Sequence, residues 1–365
     1  MMDYERYQRQ IQIPGFGESG QQKLSDARVL VIGAGGLGVP VLQYLSGMGI
    51  GNIGVVDGDV VSLSNLHRQI IYTPEDVGKL KVECCVASLK KQNPTITLTG
   101  FPEFLTNKNA LSFVGGFDVI VDATDNFTAR YLINDACVIL DKPFVYGALQ
   151  KFEGHVSVFN YQGGPTYRCL YPNPPSQGQI PDCNEAGVLG IVPGLIGCLQ
   201  AMETIKIISG LGTPLSGILQ VHDFLNNSQY SIKLKVREHN KQISRLQDND
   251  PPDVCTQDDE GISAHQLRNW LDQNKEFNLL DLREIHEFNN GHLSNAFSLP
   301  LSKLNAGLPN LPKDRPWVLV CQVGGRSQKA LRQFKKLDPG IQLLNLEGGM
   351  SGWIKNVGHH YISFL

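Results

Sequence analysis

Three glycines and an acid, spaced as in nucleotide-binding proteins, are the first group of residues that could do chemistry. Gly33, Gly35 and Gly38 follow the apolar run 29–32, and Asp57 ends the next apolar run. Glycines let the backbone turn tightly and approach a phosphate, which the N-terminus of the following helix stabilises. A carboxylate at the end of the second strand accepts hydrogen bonds from ribose hydroxyls. Glycines alone would also suit a turn or close packing, but this order of elements favours nucleotide binding.

Two cations further along the chain indicate which nucleotide it is. The default ligands of such a motif are NAD and FAD, whose binding uses the glycines and the acid and needs no additional cation. Arg68 and Lys81 follow Asp57 in this chain. Cations stabilise the charge on phosphoryl oxygens, so the pair favours ATP. The alternative is that both are ordinary solvated surface charges.

A second acidic turn follows the apolar strand at residues 118–122. Asp125 comes just after this strand, where ligands bind in doubly wound parallel sheets. Its carboxylate is therefore a candidate ligand for Mg²⁺. The alternative is an N-cap for the helix predicted over residues 127–140, a role that Thr124, Asp125 or Asn126 would fill.

A cysteine at the end of a later strand could act as a nucleophile. Cys321 follows the run 317–320 and precedes a glycine-rich loop and a helix. Backbone N–H groups and a helix N-terminus stabilise a thiolate, and Arg326 adds positive charge. The loop residues are Cys321, Gln322, Val323, Gly324, Gly325 and Arg326. Outside such a context a cysteine is usually a small buried hydrophobe.

Alternating strands and helices position these residues, and they predict two α/β domains. We expect a doubly wound domain with a mixed sheet over residues 1–238 and a smaller α/β domain over residues 261–365. The polar, proline-broken segment 239–260 is the predicted linker. Residues 162–193 are rich in proline and glycine and predict a long functional loop.

The composition sets limits on function. The chain has 365 residues and a net charge of −3, which favours neither nucleic acid nor membrane binding. No continuous apolar run is long enough to span a bilayer, and the first ten residues, MMDYERYQRQ, contain no apolar signal core. Eight cysteines without a disulfide-like spacing indicate a reducing, cytoplasmic setting.

Ordered motifs give the first domain a specific resemblance. Over residues 4–237 it resembles the MoeB/ThiF/HesA family of adenylating enzymes, through RYQRQI, GAGGLG, DGDVVSLSNLHRQ, GKLKVE, DATDN and CNEAGVLG. The second domain resembles a rhodanese, through LLDLREIHEFNNGHLSNAFSLP, CQVGGRS and LEGGMSGW. Together they resemble the adenylyltransferase–sulfurtransferases of molybdopterin synthesis, thiamine synthesis and tRNA thiolation. Phosphatases of the rhodanese-like fold have five residues between the cysteine and the arginine of this loop, whereas this chain has four, Gln322 to Gly325. The smaller loop suits a sulfur atom better than a phosphate and favours sulfur transfer.

The resemblance implies roles for individual residues. ATP would be bound with Mg²⁺ held by Asp125, and Arg9 would reach the active site of a second subunit in a homodimer. Asp57 would contact the ribose and Gly36 the phosphates. The residues implied to bind the nucleotide are Gly33, Gly35, Gly36, Asp57, Ser64, Asn65, Arg68, Lys81, Asp125 and Asn126.

The implied reaction adenylates the C-terminal Gly-Gly of a ubiquitin-like sulfur carrier of the MoaD/ThiS type. Cys321 would carry a persulfide, received from a cysteine desulfurase, and would convert the adenylate to a thiocarboxylate. Cys183 would resolve the intermediate, although an ordinary loop cysteine is the alternative. The small subunit of molybdopterin synthase is the first choice of carrier, with thiamine-pathway and tRNA-thiolation carriers as alternatives.

The chain departs from the family in one respect. Many members bind a structural Zn²⁺ through two Cys-x-x-Cys pairs. Here Thr166 stands where the first cysteine of the first pair should be, with Cys169 as the second. Only Cys255 remains in the region of the second pair, residues 237–257. We therefore predict no structural zinc.

Two other functional classes compete with this interpretation. A nicotinamide-dependent dehydrogenase would use the glycine turn but would leave Arg68, Lys81 and the whole second domain without a purpose. A non-catalytic scaffold would need neither Cys321 nor the cations. Both alternatives therefore explain less of the sequence than an adenylating sulfurtransferase does.

Overall fold

The computed structural model describes residues 4–174, 187–246, 261–306, 313–337 and 340–364. These residues fall into two compact units, one within Met1–Pro252 and the other within Asp253–Leu365. Cys183 and Cys255 lie outside the described residues.

The first unit is built on an eight-stranded mixed sheet with strand order β3-β2-β1-β4-β5-β6-β7-β8. Its first five strands are parallel, and β6, β7 and β8 are antiparallel. The strands are β1 Arg28–Ile32, β2 Asn52–Val56, β3 Thr97–Phe101, β4 Val119–Asp122, β5 Phe144–Gln150, β6 Glu153–Phe159, β7 Ile218–Asp223 and β8 Ser228–Lys233. The predicted α/β fold with a mixed sheet is confirmed.

Eight helices accompany this sheet in the described part of the unit. They are α1 Tyr4–Ile11, α2 Gly17–Asp26, α3 Gly38–Met48, α4 Lys81–Gln92, α5 Ala110–Gly115, α6 Phe127–Ile139, α7 Tyr167–Leu170 and α8 Ile191–Ser209. The segment predicted as a loop over residues 162–193 thus contains α7 and the start of α8. A single helical turn of four residues has no clear signature in the sequence, because it is too short to show a helical period.

The direction in which the chain crosses over reverses between β1 and β4. In such a sheet the loops after these two strands diverge and leave a crevice at the carboxyl ends of the strands. The glycine turn follows β1, and Asp125 follows β4. Val29, Leu30 and Val31 are fully buried in β1, as a parallel strand covered on both faces requires. The buried strands therefore bring the two polar turns to one edge of the sheet.

Helix α8 packs against α3 and against strands β5 and β6. By length and composition alone it could cross a membrane, with a mean hydropathy of 1.5 over its apolar window. Half of that window is buried inside the first unit. Its inward residues, such as Val192 and Ile196, are fully buried. This is the environment of a core helix.

The second unit has a five-stranded parallel sheet with strand order β12-β10-β13-β14-β9 and a small antiparallel pair β11–β15. The strands are β9 Gly261–Ile262, β10 Asn278–Asp281, β11 His292–Leu293, β12 Ala296–Ser298, β13 Trp317–Val320, β14 Leu343–Leu346 and β15 Ile362–Ser363. The helices described in this unit are α9 Ala264–Asp272, α10 Ile285–Asn289, α11 Gly325–Leu337 and α12 Gly349–Val357. Cys321 follows the central strand β13 directly.

Gly38→Ala should destabilise the first unit by about 3 kcal/mol or more. A Cβ at this position would lie 1.9 Å from the carbonyl oxygen of Gly33, which is backbone and cannot move aside. The matched control is Gly194→Ala in α8, where a Cβ would meet nothing within 4 Å. We expect the control to be stabilised by roughly 0.5 kcal/mol, because alanine favours a helix.

Urea unfolding of the full chain tests this pair of variants. Far-UV circular dichroism follows both units, whereas tryptophan fluorescence follows the second unit alone, because Trp270, Trp317 and Trp353 are the three tryptophans of the chain. Equal stability of the Gly38→Ala and Gly194→Ala proteins would contradict the proposed close packing.

Candidate functional site

The glycine turn after β1 is formed by close backbone contacts. Gly33 has φ of +104°, and a Cβ there would lie 2.6 Å from the carbonyl oxygen of Ala123. Its N–H donates to the carbonyl of Val56 at 2.8 Å. An added Cβ at Gly35 would lie 3.6 Å from the side chain of Gln69, and one at Gly36 would lie 3.2 Å from the side chain of Pro193 in α8. Glycine is therefore required at Gly33 by conformation, and the turn is held between the ends of β2 and β4.

Asp57 connects the glycine turn to the end of β2. One carboxylate oxygen accepts the N–H of Ala34 at 2.7 Å, and the other accepts the N–H of Asp59 at 2.8 Å. Burial raises the pKa of Asp57, while nearby Lys81 and these two hydrogen bonds oppose the shift. The carboxylate thus stabilises the turn itself, and its remaining lone pairs can accept ribose hydroxyls.

Lys81 lies beside this carboxylate and is not a solvated surface charge. Its residue is only 6% exposed. Its Nζ donates to Asp59 at 2.8 Å, and its own N–H donates to the Asp59 carbonyl at 3.0 Å. A buried ammonium group is costly unless it is paired, so Asp59 holds Lys81 at the edge of the crevice. Lys81 is also the first residue of helix α4.

Arg68 is half-buried next to the turn. Its Nη1 donates to the carbonyl of Ser64 at 3.0 Å, and its Cδ would lie 3.5 Å from a Cβ at Gly36. Asn65 accepts the N–H of Ser62 at 3.3 Å and so stabilises the short helix 63–65. The structure thus places Arg68 and Ser64 together near the glycine turn, with Asn65 in their supporting turn.

The turn after β4 presents Asp125 to solvent. The buried Asp122 accepts both the N–H and the hydroxyl of Thr124, at 3.0 and 2.7 Å, which shapes this turn. Asn126 accepts the N–H of Ala129 at 2.9 Å and is the N-cap of α6. The predicted alternative of a helix cap therefore applies to Asn126, while the Asp125 carboxylate is exposed.

A metal at this edge would need oxygen atoms from a ligand. Within the described ranges, no cluster of three or more His, Cys, Asp or Glu residues could hold a metal ion. Mg²⁺ is commonly bound by one or two carboxylates together with substrate phosphates. Asp125 fits that pattern, because a single exposed carboxylate suits a metal that arrives with a nucleotide.

Arg9 does not lie at this site. Helix α1 packs at the opposite end of α3 from the glycine turn, where the ring of Tyr7 would lie 2.5 Å from a Cβ at Gly49. Asn93 donates to the Tyr7 hydroxyl at 2.9 Å and secures this contact. Arg9 itself is exposed.

Three further residues support the site and were not predicted from the motifs. Asp59 pairs with Lys81, and the Tyr72 hydroxyl donates to the carbonyl of Ala34 at 2.8 Å. Gln69 is buried beside Gly35, and its Oε1 has no hydrogen-bond partner among the residues described. Asp59 and Gln69 lie within the motif DGDVVSLSNLHRQ and were available to inspection. Nothing local to the sequence marks Tyr72.

Cys321 forms the centre of the second site. Its residue is fully buried, and its Sγ accepts the N–H of Gly324 at 3.2 Å. The hydroxyl of Ser327 lies 3.2 Å from the same sulfur and 3.0 Å from the Gly324 carbonyl. Gly324 has φ of +91°, which turns its N–H towards the sulfur. One backbone N–H and one hydroxyl thus lie within hydrogen-bonding distance of Sγ.

The start of α12 donates hydrogen bonds to this loop. Met350 and Ser351 donate their N–H groups to the carbonyls of Cys321 and Gln322, both at 2.9 Å. A Cβ at Gly349 would lie 2.2 Å from the Cys321 carbonyl oxygen, so only glycine allows this approach. With the carbonyls directed to α12, the loop can present N–H groups on its other side.

The positive charge predicted for Arg326 is neutralised. Its guanidinium forms a bidentate pair with Glu287, at 2.8 and 2.7 Å. The hydrogen bonds from Arg326 lower the pKa of Glu287 to about 2. The expectation that Arg326 supplies net charge to the sulfur is therefore corrected, because the cation is paired within the unit.

A second arginine below the loop is also paired. Arg283 donates to both oxygens of the buried Asp281, the shortest contact being 2.8 Å. Its Nη1 reaches Gln322 Oε1 at 3.3 Å, and Gln322 Nε2 reaches the Ser351 hydroxyl at 3.0 Å. The Gln322 side chain is thus held from two sides, and each arginine of the loop region faces a carboxylate.

Comparison with protein families finds two matches in this chain. The ThiF family profile matches residues 7–245, and the profile of the rhodanese-like domain matches residues 263–356.

Curated relatives cover nearly the whole chain. The probable adenylyltransferase/sulfurtransferase MoeZ of Mycobacterium tuberculosis is 40% identical over 96% of this chain and 93% of its own length. Adenylyltransferase and sulfurtransferase MOCS3 of Arabidopsis thaliana is 36% identical over 98% of this chain and 85% of its own. The sulfur carrier protein adenylyltransferase of Thermus thermophilus is 48% identical over 62% of this chain and 85% of its own.

Solved structures of the E. coli enzyme MccB share the fold. Its complex with the peptide derivative MccA-N7isoASN superposes with a TM-score of 0.58 at 22% identity, covering 67% of this chain and 75% of that one. Its complex with ATP gives a TM-score of 0.55 at 23% identity over 62% and 69%. This likeness supports the fold of the first unit.

Glu287→Gln should lower the melting temperature of the second unit at pH 7 by a few degrees, the scale of about 1 kcal/mol in a domain of this size. Because Arg326 lowers the pKa of Glu287 from 4.5 to about 2, its stabilising contribution is complete above pH 4.5. It is lost as the pH falls through 2. The difference between parent and variant should therefore shrink from pH 7 to pH 3.

Tryptophan fluorescence measures this difference, and Glu276→Gln is the matched control. Glu276 pairs with Arg315 at 3.5 Å, but its side chain is 73% exposed, so its loss should change little at either pH. A Glu287→Gln protein that melts with the parent at pH 7 would show that the pair contributes no stability.

Proposed function

The chain belongs to the ThiF family and carries a rhodanese-like domain at its C-terminal end, which makes it an adenylyltransferase and sulfurtransferase; from this premise we propose its substrate and mechanism. It would activate the C-terminal Gly-Gly of a small ubiquitin-like sulfur carrier with ATP and would then convert that terminus to a thiocarboxylate. The observation that carries the proposal is the joint placement of Asp57, Lys81 and Arg68 around the glycine turn.

ATP would bind across the carboxyl ends of β1 and β2. The ribose hydroxyls would donate to Asp57, whose carboxylate already holds the turn. The phosphates would lie over Gly36, close to the guanidinium of Arg68. Lys81, buried and held by Asp59, would stay fixed as charge develops on the triphosphate. A preorganised cation needs no rearrangement during the reaction, which is the main electrostatic advantage of such a site.

The chemical step needs little proton transfer. The carboxylate of the carrier attacks the α-phosphorus, the bond to the β-phosphate breaks, and pyrophosphate leaves with the electron pair. The product is an acyl-adenylate, in which AMP is a far better leaving group than the original oxygen. The protein contributes orientation of the reactants and stabilisation of charge.

Mg²⁺ would be held at this site by Asp125, the exposed carboxylate after β4. The ion, when bound, would neutralise phosphate charge. Asp122 and Thr124 would keep the Asp125 turn in place through the hydrogen bonds described above.

Arg9 supports a homodimer. The side chain is exposed and lies at the end of α3 remote from the glycine turn of its own chain. A role of Arg9 in adenylation therefore requires that it reach the active site of a second subunit, as the family resemblance implies.

Sulfur would be transferred through Cys321. A donor persulfide loses its outer sulfur to the Cys321 thiolate, which becomes Cys321–S–S⁻ while the donor leaves as a thiolate. The persulfide then attacks the carbonyl of the adenylate, releases AMP and forms an acyl disulfide. Because Arg326 and Arg283 are both paired with carboxylates, the loop favours a cysteine persulfide, as a cysteine desulfurase provides, over a dianion such as thiosulfate.

Cys183 would resolve this intermediate. Its thiolate would attack the Cys321 sulfur of the acyl disulfide and would release the carrier as a thiocarboxylate. The resulting Cys183–Cys321 disulfide would be reopened by a dithiol reductant. Cys183 lies outside the described residues, so its role stands on the family resemblance.

The carrier would be the small subunit of molybdopterin synthase, with thiamine-pathway and tRNA-thiolation carriers as alternatives. All three types present the same C-terminal glycines to the adenylating site. A cysteine desulfurase partner, and the dithiol reductant needed to reopen the Cys183–Cys321 disulfide, both accord with a cytoplasmic location.

The test is ATP–pyrophosphate exchange with purified carriers of the molybdopterin and thiamine types. We expect exchange with the molybdopterin-type carrier, and we expect Cys321→Ala to retain it while losing sulfur transfer. Lys81→Met should lower the rate of ATP–pyrophosphate exchange by at least about 100-fold, which is the effect typical of removing one group that stabilises transition-state charge.

The matched control for Lys81→Met is Lys79→Met, whose ammonium is exposed and 3.5 Å from Asp76. It should leave exchange close to that of the parent. Exchange with the thiamine-type carrier alone would contradict the proposed molybdopterin carrier and would assign the chain to the thiamine pathway. Loss of exchange in Cys321→Ala would refute the division of labour between the two units.

A further inference from the structure

The sulfur of Cys169 is surrounded by hydrogen-bond donors. The N–H and the hydroxyl of Thr166 both lie 3.4 Å from it. The N–H of Arg237 lies at 3.3 Å and the side-chain amide of Asn240 at 3.8 Å. The thiol proton itself can point to the carbonyl of Arg237, 3.9 Å away. Cys169 is 8% exposed, so these protein groups form most of its surroundings.

These contacts come from two short segments with the same spacing. Thr166 and Cys169 are separated by two residues at the start of α7, and Arg237 and Asn240 are separated by two residues around the short helix 238–241. This is the spacing of the paired cysteines in a structural zinc site. The second pair therefore corresponds to Arg237 and Asn240, a placement that the sequence alone left open over residues 237–257.

The residues present do not fit zinc. A structural site uses four thiolate or imidazole ligands, and only one of the four positions carries a thiol. The other three positions carry a hydroxyl (Thr166), a guanidinium (Arg237) and an amide (Asn240), none of which is a ligand of structural zinc. The Cys169 sulfur instead accepts hydrogen bonds from both segments.

We propose that the backbone geometry of the family's zinc site is retained here without the metal. Cys169 acts as the hydrogen-bond acceptor that holds segment 166–169 to segment 237–240. The backbone geometry is kept, so restoring three cysteines should restore a tetrahedral zinc site.

The surroundings of Cys169 support a fastening role. Burial raises the pKa of the Cys169 thiol, but the hydrogen bonds from Thr166, Arg237 and Asn240 outweigh burial and lower it overall. The segment is also anchored on the other side, because Arg168 forms a buried bidentate pair with Asp135 of α6 at 2.7 Å. The sulfur thus links the tail after β8 to a segment that is already fixed to the core.

The first experiment measures zinc and melting temperature in the full chain expressed with added zinc. The parent should contain no stoichiometric zinc. Cys169→Ala should lower the melting temperature of the first unit by roughly 3–6 °C, measured as the transition that circular dichroism shows and tryptophan fluorescence does not. The control Cys198→Ala removes a half-buried thiol for which the structure describes no hydrogen bond, and it should shift the transition less. One zinc per parent chain that disappears in Cys169→Ala would overturn the proposal.

The second experiment builds the metal site with the variant T166C/R237C/N240C. We expect one zinc per chain, a cobalt derivative with the absorption of a tetrahedral thiolate complex, and a melting temperature that falls on addition of a chelator. The parent should show none of these responses. A folded triple variant that binds no zinc or cobalt would show that the two segments do not have the backbone geometry of a zinc site. Should the triple variant not fold, the zinc content and the two alanine variants still decide the proposal.

Discussion

The carboxylate of Asp57 is the group on which the first site depends. It accepts the backbone N–H of Ala34 in the glycine turn and that of Asp59 in the loop after β2, so it ties these two loops together at the carboxyl ends of β1 and β2. Such a carboxylate is costly to bury, and the nearby ammonium of Lys81 compensates part of that cost. The ion pair with Asp59 in turn holds Lys81 in place. The groups proposed to bind ribose and phosphates are therefore also the groups that hold the crevice together.

In the second unit, as in the first, a functional group lies at the carboxyl end of a parallel strand beside a glycine-containing turn. A cysteine follows the central strand of a parallel sheet, and Gly324, with positive φ, turns its backbone N–H towards the sulfur. In the first unit we propose that the backbone turn receives a phosphate, whereas in the second unit the loop surrounds a single sulfur. The pairing of Arg326 with Glu287 makes the sulfur loop close to neutral. Both sites thus contain an ion pair, Lys81–Asp59 beside the glycine turn and Arg326–Glu287 beside Cys321, and the glycine turn has the guanidinium of Arg68 in addition.

The sequence predicted the parts of this arrangement that local spacing determines. Gly33, Asp57 and Cys321 each stand at a strand end that apolar runs reveal, so both the two α/β domains and the carboxyl-edge placement could be foreseen. Contacts between distant segments could not be foreseen. Glu287 meets Arg326, Tyr72 meets the glycine turn, and Asn240 meets Cys169 only because the fold brings these segments together. The motif assigned Arg326 a free charge, and only the folded structure shows the carboxylate that neutralises it.

The most direct test of the central claim is the intact mass of the sulfur carrier after reaction with ATP, Mg²⁺, a persulfide donor and a dithiol reductant. The account predicts that one oxygen of the C-terminal carboxylate is replaced by sulfur, and that this product requires both ATP and Cys321. An unchanged carrier, or a thiocarboxylate formed equally well by a Cys321→Ser protein, would contradict it.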